Sequence, residues 1–377
     1  MSGLRVLAAM SGGVDSAVAA ALMAEQGHEV TGVTLQLACY GSTATSPRAC
    51  CTLDAIDDAR RTAIRMGFSH HVLNAEELFR ERVLMPFADG YAEGRTPYPC
   101  AACNQHLKFG DLVTRMELTG ADVLVTGHYA QVREAAPGDW GLYRGADHDK
   151  DQTYALALIP YAALSRVRLP LGGLTKHEVR AHGQRLELSV WDKLESQDLC
   201  FVPDGDYAGY LTDRLGMTRG TEPGPFEDAL GGRVGTHRGI IHYTVGQRKG
   251  LGLSAPEPLY VLAIDAASNA VTVGPRAQLA ASGLVTSRMN WLCAQPPADG
   301  TRLWARIRYN HAGAHARVFA REHGAVEVRF DEPVSAVAPG QLAVLYDGER
   351  CLGGAPIVRG IAAAGLAARA VAEAARA

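Results

Sequence analysis

The chain has 377 residues, 47% hydrophobic and 20% charged, with a formal net charge of −3: the make-up of a globular protein with two or three domains, each able to bury a core. No run of about twenty apolar residues occurs, which excludes a helical membrane span, and the near-neutral balance means that any RNA partner needs a local basic surface. The apolar part of the opening "MSGLRVLAAMSGG" is too short for a secretory signal, and eight cysteines without one imply the reducing cytosol, with thiols kept for chemistry rather than a disulfide scaffold.

Taken in chain order, "LRVLAAM" reads as a buried strand, and residues 15–27 as a helix with Val18 and Leu22 one turn apart. "HEVTGVTLQL" is a second strand. After a Gly/Ser/Thr/Pro-rich loop over 41–49, "TLDAIDDARRTAIRMG" starts on a Thr N-cap and stops at Gly67. "HHVLNA" is the next strand, a helix runs through "EELFRERVLMPFADGYAEG", and "DVLVTGHYAQV" is a further strand. Strands separated by helices predict an α/β, doubly wound, mostly parallel sheet of Rossmann-like kind, with its ligand site at the strands' carboxyl ends. Past residue 205 the grammar changes to period-two alternation punctuated by Gly, Pro and Asn, as in "HRGIIHYTVGQRKGLGL", "PLYVLAIDAASNAVTVG", "RLWARIRYNH" and "AVEVRF". "DAASNAV" has the look of a hairpin turn, and Pro297–Gly300 is a candidate boundary. The expected units are 1–205 (catalytic), 206–280 (a small antiparallel β domain), 281–360 (a β-barrel-like domain) and an Ala-rich tail, 361–377, helical or disordered.

Two stretches carry chemistry. "AAMSGGVDSAVAAAL" follows the first strand and opens the first helix, so amides of Ser11, Gly12 and Gly13 and the helix N-terminus can form an anion site. No Lys follows the glycines, so the loop is not of the Walker type. Plain capping of the helix by Asp15 or Ser16 is the alternative. "TPYPCAACNQHLKFG" sets Cys100 and Cys103 two residues apart behind two prolines. Such a pair can hold zinc or an iron–sulfur cluster, cycle as a disulfide, or supply a nucleophile.

The string Ser-Gly-Gly-Val-Asp-Ser resembles the pyrophosphate loop of the N-type ATP pyrophosphatases, which split ATP between the α and β phosphates. With "CNQHLKFG", "TGHYA" (126–130), "KDQTYAL" (150–156), "DKLESQDLCFVPDG" (192–205), "HYTVGQRKGLG" (242–252) and "PGQLAVLYDGERCLGG", it resembles the tRNA-specific 2-thiouridylases, in family order from residue 4 to about 358. That resemblance implies ATP and Mg²⁺, adenylation of the C2 oxygen of a tRNA wobble uridine, and its replacement by sulfur. It makes Cys103 and Cys200 the catalytic pair, with sulfur carried as a persulfide from a sulfur-relay protein or cysteine desulfurase. It places ATP at Ala9, Met10, Ser11, Gly12, Gly13, Val14, Asp15, Ser16, Leu35 and Gly127, with Asp15 beside Mg²⁺. It assigns tRNA contacts to Tyr98, Pro99, Cys100, His128, Lys150, Asp151, Gln152, Arg308, Tyr309 and Gln341. A cytosolic, monomeric enzyme is expected. Many relatives carry Asp at the position of Cys100. Here Cys100, Cys103 and Cys200 offer three thiolates, enough for a [4Fe–4S] cluster with one open iron, so cluster and metal-free relay both stay open, and zinc, which wants four ligands, fits less well.

"RLWARIRYNHAGAHARVFAR" (302–321) holds Arg302, Arg306, Arg308, Arg317 and Arg321 and no acid. A strand here puts Arg306 and Arg308 on one face and Tyr309 on the other, either as a phosphate-tracking surface or as an ordinary solvated face. Cys39, Cys293 and Cys351 read as small hydrophobes, and the Cys50–Cys51 pair has no assigned mechanism. Another adenylating enzyme on the same loop, or a non-catalytic RNA-binding protein, are the rival readings; neither accounts for both Cys103 and Cys200.

Overall fold

The computed structural model describes residues 3–37, 53–194, 199–202 and 205–363. Cys39, Cys50, Cys51, the expected Thr52 cap and most of the Ala-rich tail lie outside the described residues. The first half is built on a parallel sheet of β1 (Arg5–Ala9), β2 (Glu29–Gln36), β3 (Ser69–Asn74), β4 (Val123–Val125) and a short β7 (Val167–Arg168), in the order β3-β2-β1-β4-β7. Both faces of β1 are covered: Val6 and Ala8 face one core cluster, Leu7 and Ala9 another. That two-sided burial is why the strand reads as a continuous apolar run. Helix α1 (Val14–Glu25) lies close on the sheet because Ala17, Ala19, Ala20 and Ala21 are almost fully buried. Chain order reverses between β1 and β4, and an open α/β sheet takes its ligand at such a switch point, beyond the carboxyl ends.

"DVLVTGHYAQV" is not one strand. Its first part is β4; after a turn, β5 (Ala130–Ala136) and β6 (Asp139–Arg144) form an antiparallel hairpin that leaves the parallel sheet altogether. The hairpin joins the C-terminal sheet through Arg350↔Tyr143 and Cys351↔Leu142. Catalytic and C-terminal units therefore share strands.

The central unit pairs β8 (Gly224–Glu227), β9 (Arg233–His237), β10 (Leu259–Asp265) and β11 (Ala270–Pro275) in the order β10-β11-β8-β9. The sheet is mixed rather than purely antiparallel, because β11 and β8 run parallel. The "DAASNAV" turn is present, with Asn269 at φ 52. The alternation in "HRGIIHYTVGQRKGLGL" does not make a strand beyond His237, the end of β9: Ile240–His242 is a 3₁₀ turn and the rest is loop, with Ile240, Ile241, Tyr243 and Leu251 buried as anchors.

The C-terminal unit comprises β12 (Ala280–Arg288), β13 (Asn290–Trp291), β14 (Arg302–Arg306), β15 (Ala314–Ala320), β16 (Ala325–Ser335), β17 (Leu342–Asp347) and β18 (Arg350–Ala362). β18 pairs back onto β12, closing six strands into a barrel that leaves no edge among them. Leu284, Ala305, Val328, Leu345 and Ile357 fill it. Pro297–Gly300 lies inside this unit, between β13 and β14, and is not a domain boundary.

Three π-helical turns interrupt the helices near the cysteines: Arg80–Leu84, Asn104–Asp111 and Tyr210–Arg214. All three contribute to one cluster, through Val83 and Leu84, Leu107, and Tyr210, and Cys103 packs against it. No described helix is long and apolar enough to cross a membrane.

Candidate active site

The loop after β1 meets the start of α1 at the sheet's switch point. Gly12 has φ 72, and a Cβ there would lie 2.1 Å from the carbonyl oxygen of Ala55, so no other residue fits. The Ser16 hydroxyl accepts from the Ser11 amide (3.0 Å) and donates to the Gly13 carbonyl (3.1 Å), tying the loop to the helix. Gly13 is the N-cap and no side chain caps the helix, so its first amides remain turned to the crevice. That favours the anion site over plain capping. Gly127 lies against the backbone of Asp15 and Ser16. Ala9 and Leu35 pack at the same end of the sheet, and Met10 is buried. Thus the loop, Leu35 and Gly127 come together around one crevice.

The loop's missing cation arrives from elsewhere in the chain. Lys176 Nζ reaches both carboxylate oxygens of Asp15, at 2.7 and 2.9 Å, and Tyr129 donates its hydroxyl proton to the same carboxylate at 2.7 Å. Lys193 Nζ donates to the Gly12 carbonyl at 3.0 Å and pairs with Asp58 at 2.7 Å. Sequence reasoning missed both lysines because neither neighbours the glycines. Lys193 lies in "DKLESQDLCFVPDG", where only Cys200 was given a role, and Lys176 lies in no stretch that was singled out.

The second half of the site is the Thr96–Cys103 stretch. Tyr98 is the N-cap and Pro99 the first residue of the helix Pro99–Cys103, a position where a proline's missing N–H costs nothing. Two other units hold the approach to this helix. Pro339 accepts from the Thr96 amide (2.8 Å), Gln341 donates to the Thr96 carbonyl (2.9 Å), and the Thr96 hydroxyl bonds that of Thr244 in the central unit (3.2 Å). Tyr309 stacks on Tyr98 with ring centroids 6.4 Å apart and 18° between planes; Tyr154 stands edge-on to both. Burial pushes the phenols of Tyr98 and Tyr154 well up, so both rings are neutral. Cys100 lies within electrostatic reach of Tyr98 and Tyr309.

Cys103 faces the neighbouring cluster of Phe79, Val83, Leu84 and Leu107, to which Phe201 and Tyr210 also belong. Phe201 is fixed by edge and tilted contacts to Phe79, Phe87 and Tyr210 at 5.4–5.7 Å, and Cys200 beside it is felt by Tyr210. Cys103 and Cys200, distant in sequence, therefore border one aromatic cluster. Among the described residues no group of three His, Cys, Asp or Glu side chains is gathered so as to hold a metal ion.

Of the residues expected to meet tRNA, His128 is buried, with its Nδ1 2.8 Å from the Thr126 hydroxyl; burial, then Lys108, holds it neutral. Lys150 is within electrostatic reach of Tyr309. Gln152 accepts from the Tyr129 amide (2.9 Å). Asp151 is interior: its carboxylate accepts from the Thr153 hydroxyl and from Arg306 (3.2 Å) and lies 3.5 Å from Arg144. The expected strand face of Arg306 and Arg308 does not exist. β14 ends at Arg306, whose guanidinium is buried on Asp151, while Arg308 and Tyr309 lie in the following turn. Arg308 donates to the carbonyls of Ser335 and Ala336. Arg302 and Arg321 pair with Asp331 and Glu327, and Arg317 donates to the Gly300 carbonyl, so much of the expected basic stripe is neutralised within the barrel.

A family model described as the tRNA methyl transferase HUP domain matches residues 4–204. Models for a tRNA methyl transferase PRC-barrel domain and an aminomethyltransferase beta-barrel domain match 212–275 and 281–357. The chain is 45% identical over 355 residues to the tRNA-specific 2-thiouridylase MnmA of Magnetococcus marinus, covering 94% of this chain and 99% of that protein. It is 46% identical over 363 residues to the protein of the same name from Azorhizobium caulinodans, covering 94% and 93%. Among solved structures, the NMN synthetase of Francisella tularensis superposes with a TM-score of 0.34 at 17% identity, over 58% of this chain and 75% of that one.

Proposed function

The chain belongs to the tRNA-specific 2-thiouridylase family, and we propose that it transfers sulfur to C2 of the wobble uridine of tRNA by an ATP-driven thiol relay through Cys103 and Cys200. The enzyme is a tRNA-uridine 2-sulfurtransferase that uses ATP. In the proposed course, the uridine is turned out of the anticodon stack toward Tyr98, Pro99 and Cys100, with Tyr309 as the facing ring. Its O2 attacks the α-phosphorus of ATP, the α–β phosphoanhydride bond breaks, and pyrophosphate leaves toward the amides of Gly12 and Gly13 and the start of α1. Asp15 would hold the Mg²⁺ of the nucleotide, which would neutralise charge on the leaving phosphates, and Lys176, which pairs with Asp15, would receive the phosphates.

Sulfur arrives as a persulfide on Cys200. Its terminal sulfur attacks C2 and AMP departs; Cys103 thiolate then attacks Cys200 Sγ, breaking the S–S bond and leaving the thiocarbonyl on uridine. Alternatively Cys103 first displaces hydrosulfide, which attacks C2. Either order leaves a Cys103–Cys200 disulfide for an external thiol to reduce, and in either a thiolate is the competent nucleophile. Cys100 lies within electrostatic reach of Tyr98 and Tyr309 while Cys103 packs against the phenylalanine cluster, and no group of three His, Cys, Asp or Glu side chains is gathered among the described residues, so no step of this course runs through a cluster.

The observation that supports the reading above the others is that Cys103 packs against the same aromatic cluster whose Tyr210 feels Cys200. The test is replacement of either by Ala. Thiolation is expected to fall at least about a thousandfold, as when a nucleophile is removed, with ATP binding unchanged. Thiolation at an undiminished rate in either variant overturns the relay.

A further inference from the structure

Exposed cations without a carboxylate partner among the described residues lie in the central unit, whereas Arg302 and Arg321 of the barrel's arginine stretch are paired. Between Asp228 and Glu257 the sequence has no acidic residue and four cations, Arg233, Arg238, Arg248 and Lys249. The last two stand at the exposed tip of the loop "TVGQRKG". Neither side chain has an ion-pair partner among the described residues, in contrast to Arg302, Arg321 and Arg329, which are paired with Asp331 or Glu327.

The tip is held rigidly. Gln247 accepts from the Thr244 amide and donates to the Lys249 carbonyl, both at 3.0 Å. Gly246 N donates to the Val261 carbonyl (2.8 Å), and Val261 N to that of Gln247 (3.0 Å). On either side, Ile241, Tyr243 and Leu251 are buried. The loop also touches both neighbouring units. A methyl added at Gly246 would sit 2.6 Å from Cβ of Ala336, whose carbonyl is held by Arg308, and Thr244 bonds Thr96, two residues before Tyr98.

We propose that Arg248 and Lys249 form a phosphate-binding ridge that grips the backbone of the tRNA strand beside the target uridine. A preorganised, unpaired pair of cations next to the base pocket loses little entropy on binding and need not break an ion pair first. The inference rests on tRNA being the substrate. It shifts the electrostatic grip from the barrel's arginine strand to the central unit, at the junction of all three.

The test is tRNA affinity as a function of salt for the wild-type enzyme, Arg248→Ala/Lys249→Ala, and Arg302→Ala/Arg329→Ala as a comparison. For two phosphate contacts the slope of log K against log salt becomes shallower by roughly 1.4 to 1.8 in the first variant, with tRNA binding weakened by about tenfold or more at low salt. ATP binding, thermal melting and the rate at saturating tRNA are expected to stay at wild-type values, and the barrel variant to keep the wild-type slope. An unchanged slope in Arg248→Ala/Lys249→Ala overturns the proposal, whether affinity is kept or falls, because a loss without a slope change reports loop shape rather than charge. A wild-type enzyme that failed to bind tRNA would instead overturn the substrate reading itself.

Discussion

Lys176 sits at the first residue of the helix Lys176–Arg185, where the positive end of the helix dipole disfavours a cation. The helix is already well capped by the reciprocal Thr175–Glu178 box, so this lysine is not there for the helix. Its ammonium instead pairs with Asp15 beside the Ser11–Gly13 loop, which has no cation of its own. Lys176→Met is expected to lower pyrophosphate release on the order of a hundredfold, as loss of one transition-state donor does, with tRNA binding retained; pre-steady-state pyrophosphate release checks it. His311 gives a pH-dependent test. Burial, then Arg308 and Arg306, depresses its imidazole to about 4, whereas the unfolded chain has the ordinary 6.5. Between those values the unfolded form binds the extra proton, so stability is full above about 6.5 and lost as pH falls toward about 4, by at most about 3 kcal/mol. Melting of His311→Asn across pH 4 to 7 is expected to show a smaller change than the wild type. At this scale the thiols and the glycine loop were legible because each carries its chemistry in its own type and spacing. Lys176, Lys193 and Tyr129 were not, because their roles arise only from contacts made across the fold.

The elements around the cysteines depend on backbone that departs from the α-helix. In the π-turn Asn104–Asp111, a Cβ on Gly110 would approach the Gln105 carbonyl oxygen to 2.8 Å, so the turn requires glycine there. Gly110→Ala is expected to shift the turn and with it Cys103. Displacements of about 1 Å can cost a hundredfold in rate. The check is thiolation against ATP binding, with only the former expected to fall. The parallel strands were readable from their apolar runs and α1 from its Gly-loop start. The π-turns were not, since "NQHLKFGD" has ordinary helical composition. The division of "DVLVTGHYAQV" between two sheets escaped for a related reason: β4 and β5 share one strand-like pattern, and only the turn at Gly127–His128, pressed on α1, separates them.

Across the whole molecule, Asp151 is the junction. Its buried carboxylate faces Arg306 of the barrel and Arg144 of the hairpin, Thr153 links it to Tyr346, and the Tyr154 hydroxyl both donates to and accepts from the backbone of Leu342. Removing one member of a buried ion pair strands the other, at a cost of about 3–5 kcal/mol. Asp151→Ala is therefore expected to lower the melting temperature by several degrees and to weaken tRNA binding, because Tyr309 loses its register over Tyr98. ATP affinity is expected to hold. The change from α/β to β grammar near residue 205 showed that the chain has distinct units; that they share a hairpin and lock through Asp151 depended on pairings invisible to local pattern.

The most direct measurement is a single-turnover reaction of wild-type enzyme, Cys103→Ala and Cys200→Ala with ATP, tRNA and a persulfide donor, following 2-thiouridine, AMP and pyrophosphate together. The expected result is one 2-thiouridine per AMP and pyrophosphate for the wild type, and no 2-thiouridine from either variant although both still bind ATP. Wild-type yields of 2-thiouridine from a variant lacking either thiol would contradict the account.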